Sequence, residues 1–184
     1  MATKTLPPQA LLNQLLRYEP ETGKLFWLER DDSLFKEGRR NPAKIWNTRF
    51  AGKEAFPASH CEGYCQGAIF GKKILAHRVI WKMVHGVEAL EIDHINGNRS
   101  DNRLINLRSV DAKTNMKNMR RINRNTSGVT GIGWAKREGK WRARLSTDDV
   151  EYHIGYFTSF DEAVAARKAA ETQYGFHENH GKAA

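Results

Sequence analysis

Apolar residues recur at helical spacing in some stretches of the 184-residue chain and at strand spacing in others, which indicates an α+β fold. Leucines at 11, 12, 15 and 16 predict a helix over residues 8–18 that starts after Pro7 and Pro8. Short apolar segments at 25–28, 64–69 and 72–76 predict strands, with Gly67 and Gly71 marking a hairpin. Residues 31–52 are polar and irregular, with Trp46 as an anchor.

Helical spacing returns over residues 77–85, where an apolar face is formed by Val79, Ile80, Met83 and Val84. Gly86 is well placed to stop this helix. The Asn, Gly, Asp and Arg content that follows predicts a turn-rich hairpin through Leu107. Residues 111–121 predict another helix, and the polar, basic residues 122–130 are typical of a linker.

Beyond the linker the pattern predicts three strands, at 132–136, 140–146 and 151–157, and a helix from an N-cap at Ser159 to about residue 174. On the second strand, basic residues alternate with apolar ones, so one face is cationic and the other is apolar. The apolar face is expected to pack on the helix through Phe160, Ala163 and Val164, which leaves the cationic face for a ligand. The cationic positions are Lys140, Arg142 and Arg144, and the apolar ones are Trp141, Ala143 and Leu145.

The amount and distribution of charge indicate which class of macromolecule the protein binds. The net charge is +9, and residues 112–145 contain ten basic residues against one acid. A basic stripe of this kind favours nucleic acid, and no apolar run approaches the roughly 20 residues needed to cross a bilayer. The N-terminus lacks the apolar stretch of a secretory signal. We therefore expect a cytoplasmic protein whose partner is a nucleic acid, with no membrane and no small-molecule substrate.

Two cysteines cannot build a disulfide framework and are typical of a reducing compartment. Cys61 and Cys65 with His60 suggest a zinc site, but a fourth ligand is missing. Buried or half-exposed thiols are the favoured interpretation.

The candidate chemistry lies in residues 91–98, Glu-Ile-Asp-His-Ile-Asn-Gly-Asn, with Asn106 and Asn115 further along. Asp93 is a hard oxygen ligand suited to Mg²⁺ or Mn²⁺, and Asn115 can add a carbonyl oxygen to the same ion. His94 would face the other way and accept a proton from water, because adjacent residues of an extended segment point to opposite sides. Asn106 is expected to pin the loop through backbone hydrogen bonds. These tasks together are those of phosphodiester hydrolysis.

These motifs resemble the HNH nucleases, specifically the phage-borne homing-endonuclease branch with a ββα-metal site. The resemblance implies that His94 is the general base, that Asp93 and Asn115 hold one Mg²⁺ or Mn²⁺, and that Asn106 orders the hairpin. It also implies products with 5′-phosphate and 3′-hydroxyl ends. Many members have a second histidine where this chain has Asn115, a departure that favours Mg²⁺. The segments that carry the resemblance are 76–81, 91–98, 101–103 and 106–108, with Asn115 and Asn118.

Residues 127–176 resemble the ethylene-response-factor (APETALA) type of DNA-binding domain, through 127–132, 140–141, 154–157 and the helix 163–170. This resemblance implies double-stranded DNA as the partner, because such a sheet places alternate side chains in the major groove. Arginines near the nuclease motif are candidates for clamping phosphates, and His77 is a candidate for either a structural or a phosphate-contacting role. The candidate DNA-binding residues are His77, Arg78, Arg103, Arg108, Lys117, Arg120, Arg121, Arg124, Trp134, Lys136, Arg137, Lys140, Arg142 and Arg144.

The predicted organisation is a small N-terminal α/β region (1–75), an HNH nuclease core (76–121), a basic linker (122–130) and a three-stranded antiparallel sheet packed on one helix (131–178). The predicted function is metal-dependent cleavage of DNA. The alternative is a non-catalytic DNA-binding regulator with a vestigial nuclease centre. Whether the chain acts as a monomer or a homodimer stays open.

Overall fold

The computed structural model describes residues 5–36, 40–111, 115, 117, 126–148, 150–178 and 180–181. The chain forms two compact units, Met1–Ser109 and Val110–Ala184. Both contain helices and small antiparallel sheets, so the predicted α+β class is confirmed. Within the described ranges, none of the helices combines the length and the apolar character that crossing a bilayer requires.

The first helix is shorter than predicted. Helix α1 spans Gln9–Leu15, and the chain continues directly as strand β1, Leu16–Glu19, instead of remaining helical to residue 18. Strand β1 pairs antiparallel with β2, Lys24–Trp27, and β2 pairs with β3, Glu54–Ala55. Leu15 and Leu16 are both buried, one in the helix and one in the strand, so their hydrophobicity alone cannot locate the boundary.

Helix α2, Pro42–Phe50, lies in the segment that the sequence predicted to be irregular, so that prediction was wrong. A single 3₁₀ turn, Asp32–Leu34, precedes it. Tertiary contacts stabilise α2: Asn47 accepts from the backbone N–H of Arg30 and donates to its carbonyl, both at 2.9 Å. The Arg30 guanidinium also lies 3.8 Å from the ring centroid of Trp46. Hydrophobic periodicity does not reveal this helix, because it lacks the broad apolar face of an ordinary surface helix and its Ile45 is exposed.

Strands β4 (Ala58–Ser59), β5 (Cys65–Ile69) and β6 (Lys72–Leu75) form a second three-stranded sheet. The predicted β5–β6 hairpin is confirmed, and its turn uses Phe70 and Gly71, which have φ of 49° and 75°. Gly67 lies inside β5 and not in the turn. A Cβ at that position would come within 2.7 Å of the Phe56 ring, so the glycine permits close packing.

Helix α3, Ala76–His85, ends at Gly86 in the left-handed conformation, as the sequence predicted. Val79, Ile80 and Met83 are buried, whereas Val84, predicted for the same face, is 41% exposed. Strands β7 (Glu91–His94) and β8 (Leu107–Val110) then form a two-stranded sheet. One hydrophobic core connects these elements with the N-terminal ones; it includes Leu12, Leu25, Ile69, Ile80, Ile92 and Leu107.

The second unit contains the predicted strands and helix. Strands β9 (Ile132–Ala135), β10 (Lys140–Thr147) and β11 (Val150–Phe157) form an antiparallel sheet with β10 in the centre. Helix α4, Phe160–Gln173, begins with Ser159 accepting from the backbone N–H groups of two first-turn residues. The predicted packing of α4 on the apolar face is confirmed: Ile132, Ala143 and Ala163 form a buried core, and the partly buried Phe160 and Val164 pack against it.

Most of the helix predicted over residues 111–121, and residues 122–125 of the predicted linker, lie outside the described residues. Of the candidate DNA-binding residues, Arg120, Arg121 and Arg124 belong to this part of the chain. Asn115 is in helical conformation and donates its backbone N–H to the carbonyl of Asp111 at 3.0 Å.

Candidate active site

Strand β7 brings Asp93 and His94 into the interior, where the residues are 7% and 3% exposed. Asp93 is paired with Arg108 from the neighbouring strand β8: its Oδ2 accepts from Nε at 2.9 Å and lies 2.7 Å from Nη2. Arg108 is one-third exposed, so the pair lies at the edge of the interior. The guanidinium therefore balances the charge of the carboxylate from one side.

The His94 imidazole is held by a hydrogen bond and by two rings. Its Nε2 lies 3.1 Å from Oδ1 of Asn102, and its centroid is 5.8 Å from that of Tyr64 and 5.2 Å from that of His77. Burial lowers the pKa of His94, while the Asn102 hydrogen bond and the Asp93 charge oppose that shift. The neutral form is favoured at neutral pH, and a neutral imidazole can accept a proton.

His77 forms one wall of this site from the first turn of α3. It is 5% exposed, and burial lowers its pKa to about 3, with the charges of His94 and Arg78 acting in the same direction. Its ring centroid lies 5.0 Å from that of Tyr64, with the two planes tilted by 49°, and Nδ1 has no hydrogen-bond partner in the part of the chain that the structure describes. Such burial favours the structural interpretation of His77 over contact with a phosphate.

Asn106 ties together the two ends of the loop that follows β7. Its Oδ1 accepts from the backbone N–H of Asn96 at 2.9 Å, and its Nδ2 donates to the carbonyl of Asp101 at 2.8 Å. Inside the loop, Arg103 donates to both oxygens of Asp101 at 2.8 and 2.7 Å. The Arg103 hydrogen bond is the main reason why the pKa of Asp101 is lowered to about 2.

The same loop is held by the β1–β2 hairpin, which no local feature of the sequence connects with it. The Tyr18 hydroxyl donates to the carbonyl of Asn102 at 3.1 Å and accepts from the N–H of Leu104 at 2.9 Å. Gly23, with φ of 72°, lies so close that a Cβ would be 2.5 Å from the Arg103 nitrogen. No sequence pattern singled out Tyr18, Gly23 or Asn102 as site residues, although Asn102 lies in one of the runs that carry the HNH resemblance.

The remaining arginine candidate near the nuclease motif makes contacts within the protein. Arg78 donates to the carbonyls of Ala89 at 2.9 Å and Leu90 at 3.4 Å. Arg103 and Arg108 are the partners of Asp101 and Asp93 described above. All three guanidiniums are thus oriented by the fold.

In the second unit, the register of the sheet separates its two faces. Arg142 lies opposite Tyr156 and Gly133, and Arg144 lies opposite His153. Arg144 also pairs with Glu151 at 2.9 Å. Ala143 and Leu145, which alternate with the arginines, are 0% and 1% exposed. The cationic face therefore also presents His153 and Tyr156, neither of which is predicted from the sequence as a DNA-binding residue.

Trp134 lies opposite Trp141, so it shares the face covered by α4 and not the cationic one. The two rings are 5.2 Å apart, and Trp134 is 51% exposed at the sheet edge. Lys136 and Arg137 lie in the turn between β9 and β10, while Lys140 starts β10. Lys117 donates to the carbonyl of Tyr174 at 3.0 Å.

A metal could use only part of the predicted donor set within the first unit, since Asn115 belongs to the second. Among the residues that the structure describes, no three His, Cys, Asp or Glu side chains converge as a metal cluster. Cys61 is exposed and Cys65 is half-buried, and both are free thiols. The carboxylate of Asp93 and the carboxamide of Asn115 are nevertheless hard oxygen donors, which fit Mg²⁺ or Mn²⁺ better than zinc.

Two comparisons with known proteins found a match to this chain. The model of an HNH endonuclease family matches residues 75–117, which include α3, β7, β8 and Asn115. Protein 3.8 of Escherichia phage T7 is 33% identical over 87 residues, which are 46% of this chain and 72% of that protein. The chain belongs to the family of this phage protein. Residues 75–117 are accordingly an HNH endonuclease domain.

No solved structure matches the chain. The likeness of residues 127–176 to ethylene-response-factor domains stays a prediction.

Proposed function

We propose that the protein is a metal-dependent, homing-type DNA endonuclease in which His94 is the general base and Asp93 and Asn115 hold one divalent cation. The observation that carries the proposal is the buried His94, whose pKa is lowered by burial, beside the buried carboxylate of Asp93, inside a segment that matches the HNH endonuclease family. A neutral imidazole next to hard oxygen ligands is the combination that phosphodiester hydrolysis requires.

In the proposed reaction His94 takes a proton from the water that attacks the phosphate. Asp93 and Asn115 would hold Mg²⁺ or Mn²⁺, which when bound supplies positive charge for the developing charge on the leaving 3′ oxygen. Tyr64 and His77 pack against the imidazole ring and restrict its orientation, and Asn106 keeps the loop closed. The bond cleaved is the one that leaves a 5′-phosphate and a 3′-hydroxyl.

DNA would be held by cations of both units. Arg78, Arg103 and Arg108 surround the nuclease motif in the first unit, and the cationic face of the sheet, with Lys140, Arg142 and Arg144, serves recognition in the second. Phosphate contacts position a protein on DNA, whereas side chains of a sheet that enters the major groove read the bases. Lys140 and Arg144 are exposed on that face and Arg142 is half-buried, which supports a role of the face in DNA recognition.

The decisive experiment is cleavage of DNA by His94→Ala, with His60→Ala as the matched control. His60 belongs to the same unit and is half-buried outside the site. We expect His94→Ala to lower the single-turnover rate by about 10²–10⁴-fold with DNA binding retained, because the proton acceptor is lost while every residue proposed to contact DNA is kept. Cleavage by His94→Ala near the wild-type rate would exclude His94 as the base.

One observation favours the alternative, a DNA-binding regulator with a vestigial centre. Arg108 already pairs with Asp93, so this carboxylate has a cationic partner without any metal. The two functions differ in plasmid cleavage: the endonuclease cuts with Mg²⁺ or Mn²⁺ and stops in EDTA. Binding without cleavage, across a library of DNA sequences and both metals, would establish the regulator instead.

A further inference from the structure

We infer that Asn102 is a positioning residue that fixes the tautomer of His94, with the proton on Nε2 and the basic lone pair on Nδ1. The inference rests on the proposed function, because it specifies which nitrogen acts as the base. It is carried by a buried contact between two side chains: Asn102 is 2% exposed, His94 is 3% exposed, and Oδ1 lies 3.1 Å from Nε2.

The orientation of the Asn102 carboxamide determines the direction of this hydrogen bond. Its Nδ2 donates to the carbonyl of Ser100 at 3.4 Å, so Oδ1 is the atom that faces His94. A carbonyl oxygen only accepts, so Nε2 must donate. Turning the carboxamide over would place its oxygen against the Ser100 carbonyl, with two acceptors in contact.

The backbone of Asn102 is in turn fixed by the β1–β2 hairpin. Tyr18 binds the carbonyl of Asn102 on one side and the N–H of Leu104 on the other, and burial raises the pKa of Tyr18, which keeps it a neutral donor. Gly23 lies directly against the peptide between Asn102 and Arg103. The carboxamide therefore approaches His94 from a segment that has little room to move.

A fixed tautomer matters because only a deprotonated nitrogen can accept a proton from water. The two neutral tautomers of imidazole interconvert easily, and the partner of one nitrogen selects the state of the other. Residues that orient a catalytic or ligating histidine in this way typically contribute about 10–100-fold to activity.

The test uses the full chain in EDTA, without DNA, at a pH where His94 is neutral. Long-range ¹H–¹⁵N NMR of the histidine rings distinguishes the two tautomers, and His94→Gln assigns the signal. We expect the Nε2–H form in the wild type and in Asn102→Asp, which keeps an acceptor oxygen. We expect a mixture of tautomers in Asn102→Leu, which has similar volume and no acceptor. A wild-type spectrum with Nδ1–H, or an Asn102→Leu spectrum identical to the wild type, overturns the inference.

Cleavage assays add a second readout. Asn102→Leu should lower kcat by about 10–100-fold with KM for DNA unchanged, and Asn102→Asp should restore most of it. A purely structural role predicts instead that both variants lose activity in proportion to their loss of folded protein. The NMR result does not depend on nuclease activity, so an inactive wild type with the Nε2–H signal refutes the proposed function alone. An active wild type with the Nδ1–H signal refutes only the role of Asn102.

Discussion

Replacing Gly23 by alanine tests whether the β1–β2 hairpin supports the active-site loop. Gly23 is buried and has φ of 72°, and the added Cβ would lie 2.5 Å from the backbone nitrogen of Arg103 and 2.7 Å from the carbonyl carbon of Asn102. Gly52 is the matched control: its φ is 77°, it is exposed, and a Cβ there meets nothing within 4 Å.

Both variants share the cost of placing alanine in the left-handed region, roughly 1–2 kcal/mol, and both gain the same small entropic benefit. Gly23→Ala additionally pushes the β1–β2 turn away from the backbone of Asn102 and Arg103, because peptide atoms, unlike the end of a flexible side chain, cannot rotate out of the way. Overpacking of this kind costs about 1–3 kcal/mol. We therefore expect Gly23→Ala to lower the free energy of unfolding by about 1–3 kcal/mol more than Gly52→Ala.

Urea denaturation of the two variants, compared at equal m-values, measures that difference. Cleavage is the second readout: Gly23→Ala should cut DNA more slowly, since the displaced peptide carries Asn102, while Gly52→Ala should cut like the wild type. A difference below about 0.5 kcal/mol, with equal cleavage rates, would refute the close approach and with it the support that we ascribe to the hairpin.

Three further predictions concern charge. The folded pKa of His77 is about 3, well below its ordinary value, so the stabilisation from keeping His77 neutral is fully present above about pH 6.5 and is lost as the pH falls towards 3. His77→Phe should therefore reduce the dependence of the free energy of unfolding on pH in acid denaturation by at most about 1.4 kcal/mol per pH unit. An unchanged pH dependence would contradict the lowered pKa of His77. Arg108→Gln should unfold at lower temperature in EDTA and should gain more thermal stability from Mg²⁺ than the wild type does. Arg103→Gln, which removes the half-exposed partner of Asp101, should gain no more from Mg²⁺ than the wild type. An equal gain in all three proteins argues against a cation site at Asp93. Lys140→Gln should reduce the slope of log K against log[salt] for DNA binding by about 0.9. Lys168→Gln, on the covering helix, should leave that slope unchanged. Similar slopes for both variants would exclude the cationic face as the DNA-binding surface.

Sequence patterns predicted the structure correctly wherever the conformation depends on residues that are close together in the sequence. The alternation of basic and apolar residues on β10 located both faces of the second sheet, since side chains of a strand alternate whatever surrounds them. Gly86 and Ser159 fixed helix ends for the same reason, because caps act on their own turn. The HNH motif was also local, and residues 75–117 match the family.

Patterns failed where distant contacts decide the conformation. Helix α2 has an exposed Ile45 and is stabilised by Asn47 and Trp46 against Arg30, a partner in another segment. Leu16 is as apolar as Leu15, and only the antiparallel partner Trp27 makes it the first residue of a strand. Trp134 was selected as an aromatic of the DNA-binding strand, yet the register places it on the face covered by α4.

The sequence by itself determined the class of fold, the nuclease motif and the polyanionic partner that it favours, because spacing and charge are properties of the chain. The tertiary structure alone decided how the site residues are held: Tyr18 binds the Asn102 backbone from 84 residues away, and Arg108 meets Asp93 across two strands. Such contacts depend on how elements pack around the core shared by Leu12 and Ile92, and no local pattern of residues encodes that arrangement.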